Sequence, residues 1–441
     1  MTATVAALAA ATSFGVSRLA WAGNTWTGNG ASANWSDDNN WGGAQPAYGT
    51  LSFNLGGTQG TTSIVDQSYS MNQLLWTGTS AWTVNSANAA VISLFDLSGT
   101  QAKVENQSSG LVTLNAPITF AATAGANWGE INAVNGDLTF GTGMLTVNGS
   151  QVAGIRSFTG AGRTVTFNNT VSASGKYLAL TASTSGTITI GSSANVTIAD
   201  LYIMNGGTLN LGGSTLTNDS GTGVRLGGDF GTTGTQDLTK GGTFNLTATG
   251  GGTTYAGVIN SVALNTSGAL AVNSNNTSGA NTLSGHVALD SALQFTQASG
   301  GTLNITQARA GGVGTTTGTD IKGQSLTLTP ASGGTINFSG DIYNSTGAGS
   351  VLMNGAGTVT LGGANTYTGA TTISAGILSV TGAINSANAA NVGRISVANT
   401  SGNAELLISG TVRATNTTAP SLLVGSVSGA NGTIIVNIGG T

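Results

Sequence analysis

The side chains able to do chemistry are few, and their spacing restricts what they can do. His286 is the only histidine, and cysteine is absent. One imidazole excludes a histidine-based metal cluster or a paired relay. Without thiols there is no disulfide framework and no thiolate metal site. His286 lies in Ser284-Gly285-His286-Val287, and reads as a solvated turn residue. A serine nucleophile needs a base within hydrogen-bond reach, and no Gly-x-Ser-x-Gly turn occurs.

Carboxylates are the stricter test, because polysaccharide-cleaving enzymes rely on clustered Asp and Glu. Asp37-Asp38 is the only adjacent pair, between Trp35 and Trp41. Asp219, Asp229 and Asp237, near Arg225 and Lys240, would meet if successive turns aligned, although exposed turn residues are the favoured reading. Gly227-Gly228-Asp229 occurs once, whereas calcium-binding β-helices repeat such a phrase. No catalytic residue, metal ligand or cofactor is assigned. Six of seven tryptophans precede residue 83. Trp26, Trp35 and Trp41 could stack on sugar rings, but large aromatics also suit the closing of an exposed core. The second reading is preferred.

The elements that must position these residues are written in the composition. Of 441 residues 71 are glycine and only 6% are charged, while the hydrophobic share of 39% comes in short alternating bursts. Such a chain orders only by stacking small apolar residues into a thin continuous core. The net charge of −4 is spread along the chain. It forms no basic stripe, so nucleic acid is excluded as a partner.

One short phrase recurs. Gly186-Thr-Ile-Thr-Ile190, Gly207-Thr-Leu-Asn-Leu211 and Gly242-Thr-Phe-Asn-Leu246 are followed by copies beginning at Gly301, Gly334, Gly357 and Gly432, with a looser copy at Gly376. Apolar residues two apart put one face in and one face out. Intervals of 21, 23 and 19 residues separate some copies, while 35 and 33 separate others as if a coil carried an insertion. A period near 20 fits one coil of a β-solenoid and is too short for a propeller blade. The chain is therefore read as all-β, a right-handed parallel β-helix with a tryptophan-rich N-terminal cap. Leu209, Leu211, Phe244, Leu246, Leu303, Ile305, Ile336 and Phe338 should point inward. Asn210, Asn245, Asn304 and Asn337 should form one ladder. At about 20 residues per coil, some 19 coils would make a rod of about 90 Å.

Residues 355–378 contain Thr358-Val-Thr-Leu361, then Asn365-Thr-Tyr-Thr-Gly369, then Thr372-Ile373 and the exit Gly376-Ile-Leu378. This segment resembles the autotransporter-associated β-strand repeat. The N-terminal block, with Trp26-Thr-Gly28, Asn34-Trp-Ser36, Asn40-Trp-Gly-Gly43 and Pro46, is similar to the tryptophan-rich entry found ahead of such repeats. The resemblance implies an exported bacterial passenger at the cell surface, a scaffold unit without catalytic residues of its own.

Residues 1–22 read as a signal peptide, with an apolar run from Thr4 to Val16 and Ala20-Trp21-Ala22 as a cleavage pattern. No basic residue precedes the run, as a misplaced start codon would explain. Residues 23–50 are then the cap region and 51–441 the β-helix. No later stretch reaches the roughly 20 apolar residues of a membrane helix. Neither a membrane β-barrel nor a proline-glutamate-proline sorting tail follows, and the chain stops in mid-pattern at Ile438-Gly-Gly-Thr441, so it is expected to be part of a longer reading frame. The functional expectation is a structural or adhesive surface stalk without catalytic activity. Its partners would be a surface polysaccharide or a host or neighbouring cell surface. The alternatives are a glycan-binding module built on Trp26, Trp35 and Trp41, and a carbohydrate-active β-helical enzyme.

Overall fold

The computed structural model describes residues 24–437 except 47, 55–58, 98–99, 122–126, 149–151, 161, 183–185, 205, 229–240, 262–269, 307–317, 386–392, 399–402, 414–419 and 426–427. The leader at residues 1–22 lies outside the described part. Described residues form short strands and a single 3-10 turn, Asp38–Trp41. The glycine and threonine density that opposes helix accounts for this. Strand after strand pairs in parallel with the strand one coil later, making a right-handed parallel β-helix.

Each coil contributes to three faces. The first face begins Asn24–Trp26, Thr50–Phe53, Gln73–Trp76, Lys103–Asn106. The second begins Thr62–Val65, Trp82–Ser86, Val112–Leu114, Leu138–Phe140. The third begins Tyr69–Met71, Ile92–Leu94, Ile118–Phe120, Leu145–Val147. Several strands bend through a corner without a loop. In Ser350–Leu361, residues 350–353 pair on the second face and 358–361 on the third. Asn24–Trp26 belongs to the sheet itself, opposite Thr50–Phe53, so the tryptophan-rich region is continuous with the first coil.

The inward assignment is right at all eight named positions. Leu209, Leu211, Phe244, Leu246, Leu303, Ile305, Ile336 and Phe338 are buried, none above 1% exposed. Three quantitative expectations need correction. The advance per coil varies and is mostly larger than 20: Thr50 to Gln73 is 23 residues, Asn245 to Asn273 is 28 and Asn210 to Asn245 is 35, whereas Thr187 to Thr208 is 21 and Thr358 to Ile377 is 19. Long corners add residues without adding rungs. Among the described residues about 15 coils therefore stack to about 70 Å at the inter-strand spacing, in place of 19 and 90 Å.

The recurring phrase also changes place. Copies at Thr187–Ile190, Thr208–Leu211 and Thr243–Leu246 lie on the second face. Copies at Thr302–Ile305, Thr335–Phe338 and residues 358–361 lie on the third. The asparagines accordingly form two ladders. On the second face the Asn245 amide donates to Asn210 and the Asn273 amide to Asn245, both at 2.8 Å. On the third, Asn337 donates to Asn304 at 3.2 Å.

Candidate functional site

The structure brings Trp26, Trp35 and Trp41 together at the N-terminal end. Trp26 lies opposite Phe53 in the first rung. Trp41 sets its ring edge-on to Trp26 at 5.1 Å and to Trp35 at 5.5 Å, and its indole N–H donates to the Trp35 carbonyl at 2.9 Å. Phe53 stacks on Trp76 at 5.0 Å, and Trp35 leans on Tyr69 at 5.5 Å. The turn carrying Trp41 is held by polar contacts. Asn40, fully buried, accepts from the Gly30 N–H and donates to the carbonyls of Ser32 and Asn34. Asp37 caps the 3-10 turn, accepting from the Asn39 N–H.

Trp26, Trp35 and Trp41 are 1%, 0% and 5% exposed. Stacking on a sugar needs a bare ring face, and these faces are covered by other aromatic rings. The geometry therefore weighs toward packing at the end of the core. The Asp37 carboxyl is held below its ordinary value, first by the Ser32 N–H. An ionised cap is a poor proton donor, so Asp37 does not suit the role of general acid.

Elsewhere the candidates separate. His286 is half-buried in a turn, where Nδ1–H donates to the Gly318 carbonyl at 2.8 Å. Asp229, Asp237 and Lys240, with the side chain of Asp219, lie outside the described residues. Arg225 stands over the Tyr202 ring at 5.6 Å. Among the described residues no group of three His, Cys, Asp or Glu side chains could hold a metal ion.

Sequence reasoning missed one charged group on the first face. Lys103 lies 3.2 Å from Glu105 and 3.6 Å from Glu130, and Asn132 donates to both carboxylates at 3.0 and 3.3 Å. Burial pushes the Glu105 carboxyl up, but donation from Asn132 and Gln107 with the Lys103 ammonium outweighs it, leaving a lowered value. Glycoside hydrolysis needs one carboxyl raised, and here Glu105 moves the other way. Lys103-x-Glu105 was visible as a same-face pair; Glu130 joins only through strand register.

A buried polar arrangement surrounds Asn365. Its side-chain oxygen accepts from the Ile342 N–H at 2.9 Å, and its amide donates to the carbonyls of Gly363 at 3.0 Å and Ala383 at 2.8 Å. One buried amide thus satisfies backbone groups of successive coils, which would otherwise be costly. Asn72, Asn106 and Asn276 act similarly at other corners, a role the sequence phrase did not announce.

Two residues on, Tyr367 is fully buried, and its hydroxyl meets the Thr371 hydroxyl at 2.6 Å. Burial pushes its phenol up to about 12. Gly369 is required by close approach, because a Cβ there would lie 2.2 Å from the Gly349 carbonyl oxygen. Gly376 has φ +77°, and a Cβ would meet the carbonyl oxygens of Gly355 and Gly357 at 2.3 and 2.4 Å. Beside this corner lies a groove of about 610 Å³, lined by Ala375, Gly376, Ile377, Asn403, Glu405 and Asn431 among others.

Asn365, Tyr367, Gly369 and Gly376 therefore shape successive corners of one coil and tie it to its neighbours. Residues 352–380 match the passenger-associated-transport-repeat family. The match covers the segment that resembles the autotransporter-associated repeat and supports an autotransporter passenger repeat protein. Such a passenger repeat implies an exported, surface-associated protein. No curated protein and no solved structure matches the chain.

Proposed function

We propose that the chain is a β-helical stalk of an exported cell-surface passenger, structural or adhesive in role and without catalytic activity. The observation that carries this reading is the passenger repeat at 352–380 paired in parallel with its neighbouring coils within the β-helix. A stack of coils converts chain length directly into reach, because each coil adds about 4.8 Å of axis. The placement of charge agrees with it. The carboxylates of Glu105 and Glu130 are engaged by Lys103 and Asn132, so they hold neighbouring rungs together. A glycan site using Trp26, Trp35 and Trp41 would require the aromatic cluster to open, because all three rings are buried.

The test is display in the producing bacterium. An epitope inserted at the exposed corner residue Thr142 should be lost when intact cells are treated with protease, while a cytoplasmic marker survives. An epitope protected until the cells are lysed would overturn surface display. Cleavage of polysaccharide by the purified chain, followed as release of reducing ends or unsaturated sugars, would overturn the non-catalytic reading.

A further inference from the structure

The outward side of the second face carries a grid that the stalk reading does not use. Thr164, Thr187, Thr208 and Thr243 align in one column, and Thr166, Thr189, Asn210 and Asn245 in a second. The second column continues to Thr139 and Thr113 on one side and to Asn273, Thr296 and Thr329 on the other. No register shift interrupts these pairings. Rungs repeat at about 4.8 Å and the columns lie about 6.7 Å apart along the strand. The grid is backed by the buried side chains of Val165, Ile188, Leu209 and Phe244, and the Asn210, Asn245 and Asn273 amides are locked in a chain. It is thus a rigid array of hydroxyl, methyl and amide groups.

We infer that this face binds ice. None of the grid positions named above carries a charge or an aromatic ring, Asp137 bordering the first column beside Thr164, whereas Lys103, Glu105, Glu130 and Arg156 gather on the first face. An uncharged surface offers nothing to an ionic partner, and a surface without rings offers no stacking platform to a sugar. A grid that repeats in two dimensions is matched by a partner that does the same, and the oxygen repeat of hexagonal ice is close to the spacing of the grid. Each threonine hydroxyl contributes little alone, since a net hydrogen bond is worth about 1 kcal/mol. Many fixed in advance act together with little ordering cost. This inference goes beyond the stalk reading and does not depend on where the protein is displayed.

The full chain would be partitioned between a slowly growing ice front and the remaining liquid. Wild type should enrich in the ice, and so should a Thr142→Tyr control at an exposed corner. A chain carrying Thr166→Tyr with Thr189→Tyr should melt as wild type does, because both positions point outward and tyrosine suits a strand. That double variant should be excluded from ice like an inert protein. Exclusion of the wild type, or enrichment of the double variant, overturns the inference. Retention of wild type on crystalline cellulose or chitin without ice enrichment overturns it in favour of a neutral glycan. Display on cells is measured separately, so either proposal can fail alone.

Discussion

Replacing Tyr367 with Phe should have opposite effects on either side of about pH 11. At neutral pH the variant loses the contact with Thr371, and a hydroxyl only 2% exposed is left without that partner. The cost should be about 1 kcal/mol. In alkali the wild type carries a liability that the variant lacks. Burial raises the phenol from 10.0 to about 12, so the folded state disfavours the phenolate that the unfolded chain forms readily. The stabilising contribution of the neutral phenol is complete below pH 10 and is lost as the pH rises through about 12. The rise from 10.0 to about 12 corresponds to about 3 kcal/mol, with about half lost near pH 11. Denaturant unfolding of both proteins at a series of pH values should give curves that cross there. Tyr69 and Tyr343 are also raised, mainly by burial, but both proteins contain them and they cancel in the difference. A difference titration of tyrosinate absorbance should show the missing group ionising near 12. A midpoint at the ordinary value of 10.0, or parallel stability curves, would refute the reasoning.

Other substitutions test other links. Gly376→Ala forces a side chain into positive φ against two carbonyl oxygens, and should destabilise by at least about 2 kcal/mol, seen as earlier proteolysis near the repeat. Asn365→Ala strands the Ile342 N–H and removes the amide's bonds to the Gly363 and Ala383 carbonyls, the first of which still accepts from the Ala383 N–H; a loss of about 2 kcal/mol is expected, and an unchanged denaturation midpoint would count against the corner role. Phe244→Asp places an unpaired carboxylate in the core and should open neighbouring coils, read by faster hydrogen exchange at Leu209 and Val272. Trp35→Ala with Trp41→Ala empties the N-terminal cluster and should cost about 3–5 kcal/mol or more or provoke end-to-end association. Loss of glycan retention with unchanged melting would instead restore the sugar-binding reading.

Much of the architecture was legible in local pattern. Period-two apolar residues behind a glycine dictate strands with one buried side, and burial of Leu209, Phe244, Leu303 and Ile336 follows directly. The phrase Asn365-Thr-Tyr-Thr-Gly369 was likewise visible as a unit. Its mechanism was not, because the partners of Asn365 are Ile342 and Ala383, which no short-range pattern connects.

What the sequence alone determined was the strand, its inward side and its turn glycines, since these follow from dihedral preference and from periodicity along one segment. Tertiary structure decided everything set by register. Corner length separates residue count from rung count, so the coils are longer and fewer than a constant period suggests. The same phrase occupies the second face at Gly207 and the third at Gly334, because its local signal is identical on any flat side. Whether Asn245 meets Asn210 or Asn337, whether Glu130 reaches Lys103, and whether Trp35 shows its ring to solvent or to Phe53 depend on how far the chain travels before it stacks. That distance is fixed by the sum of all the corners between, and no single segment contains it.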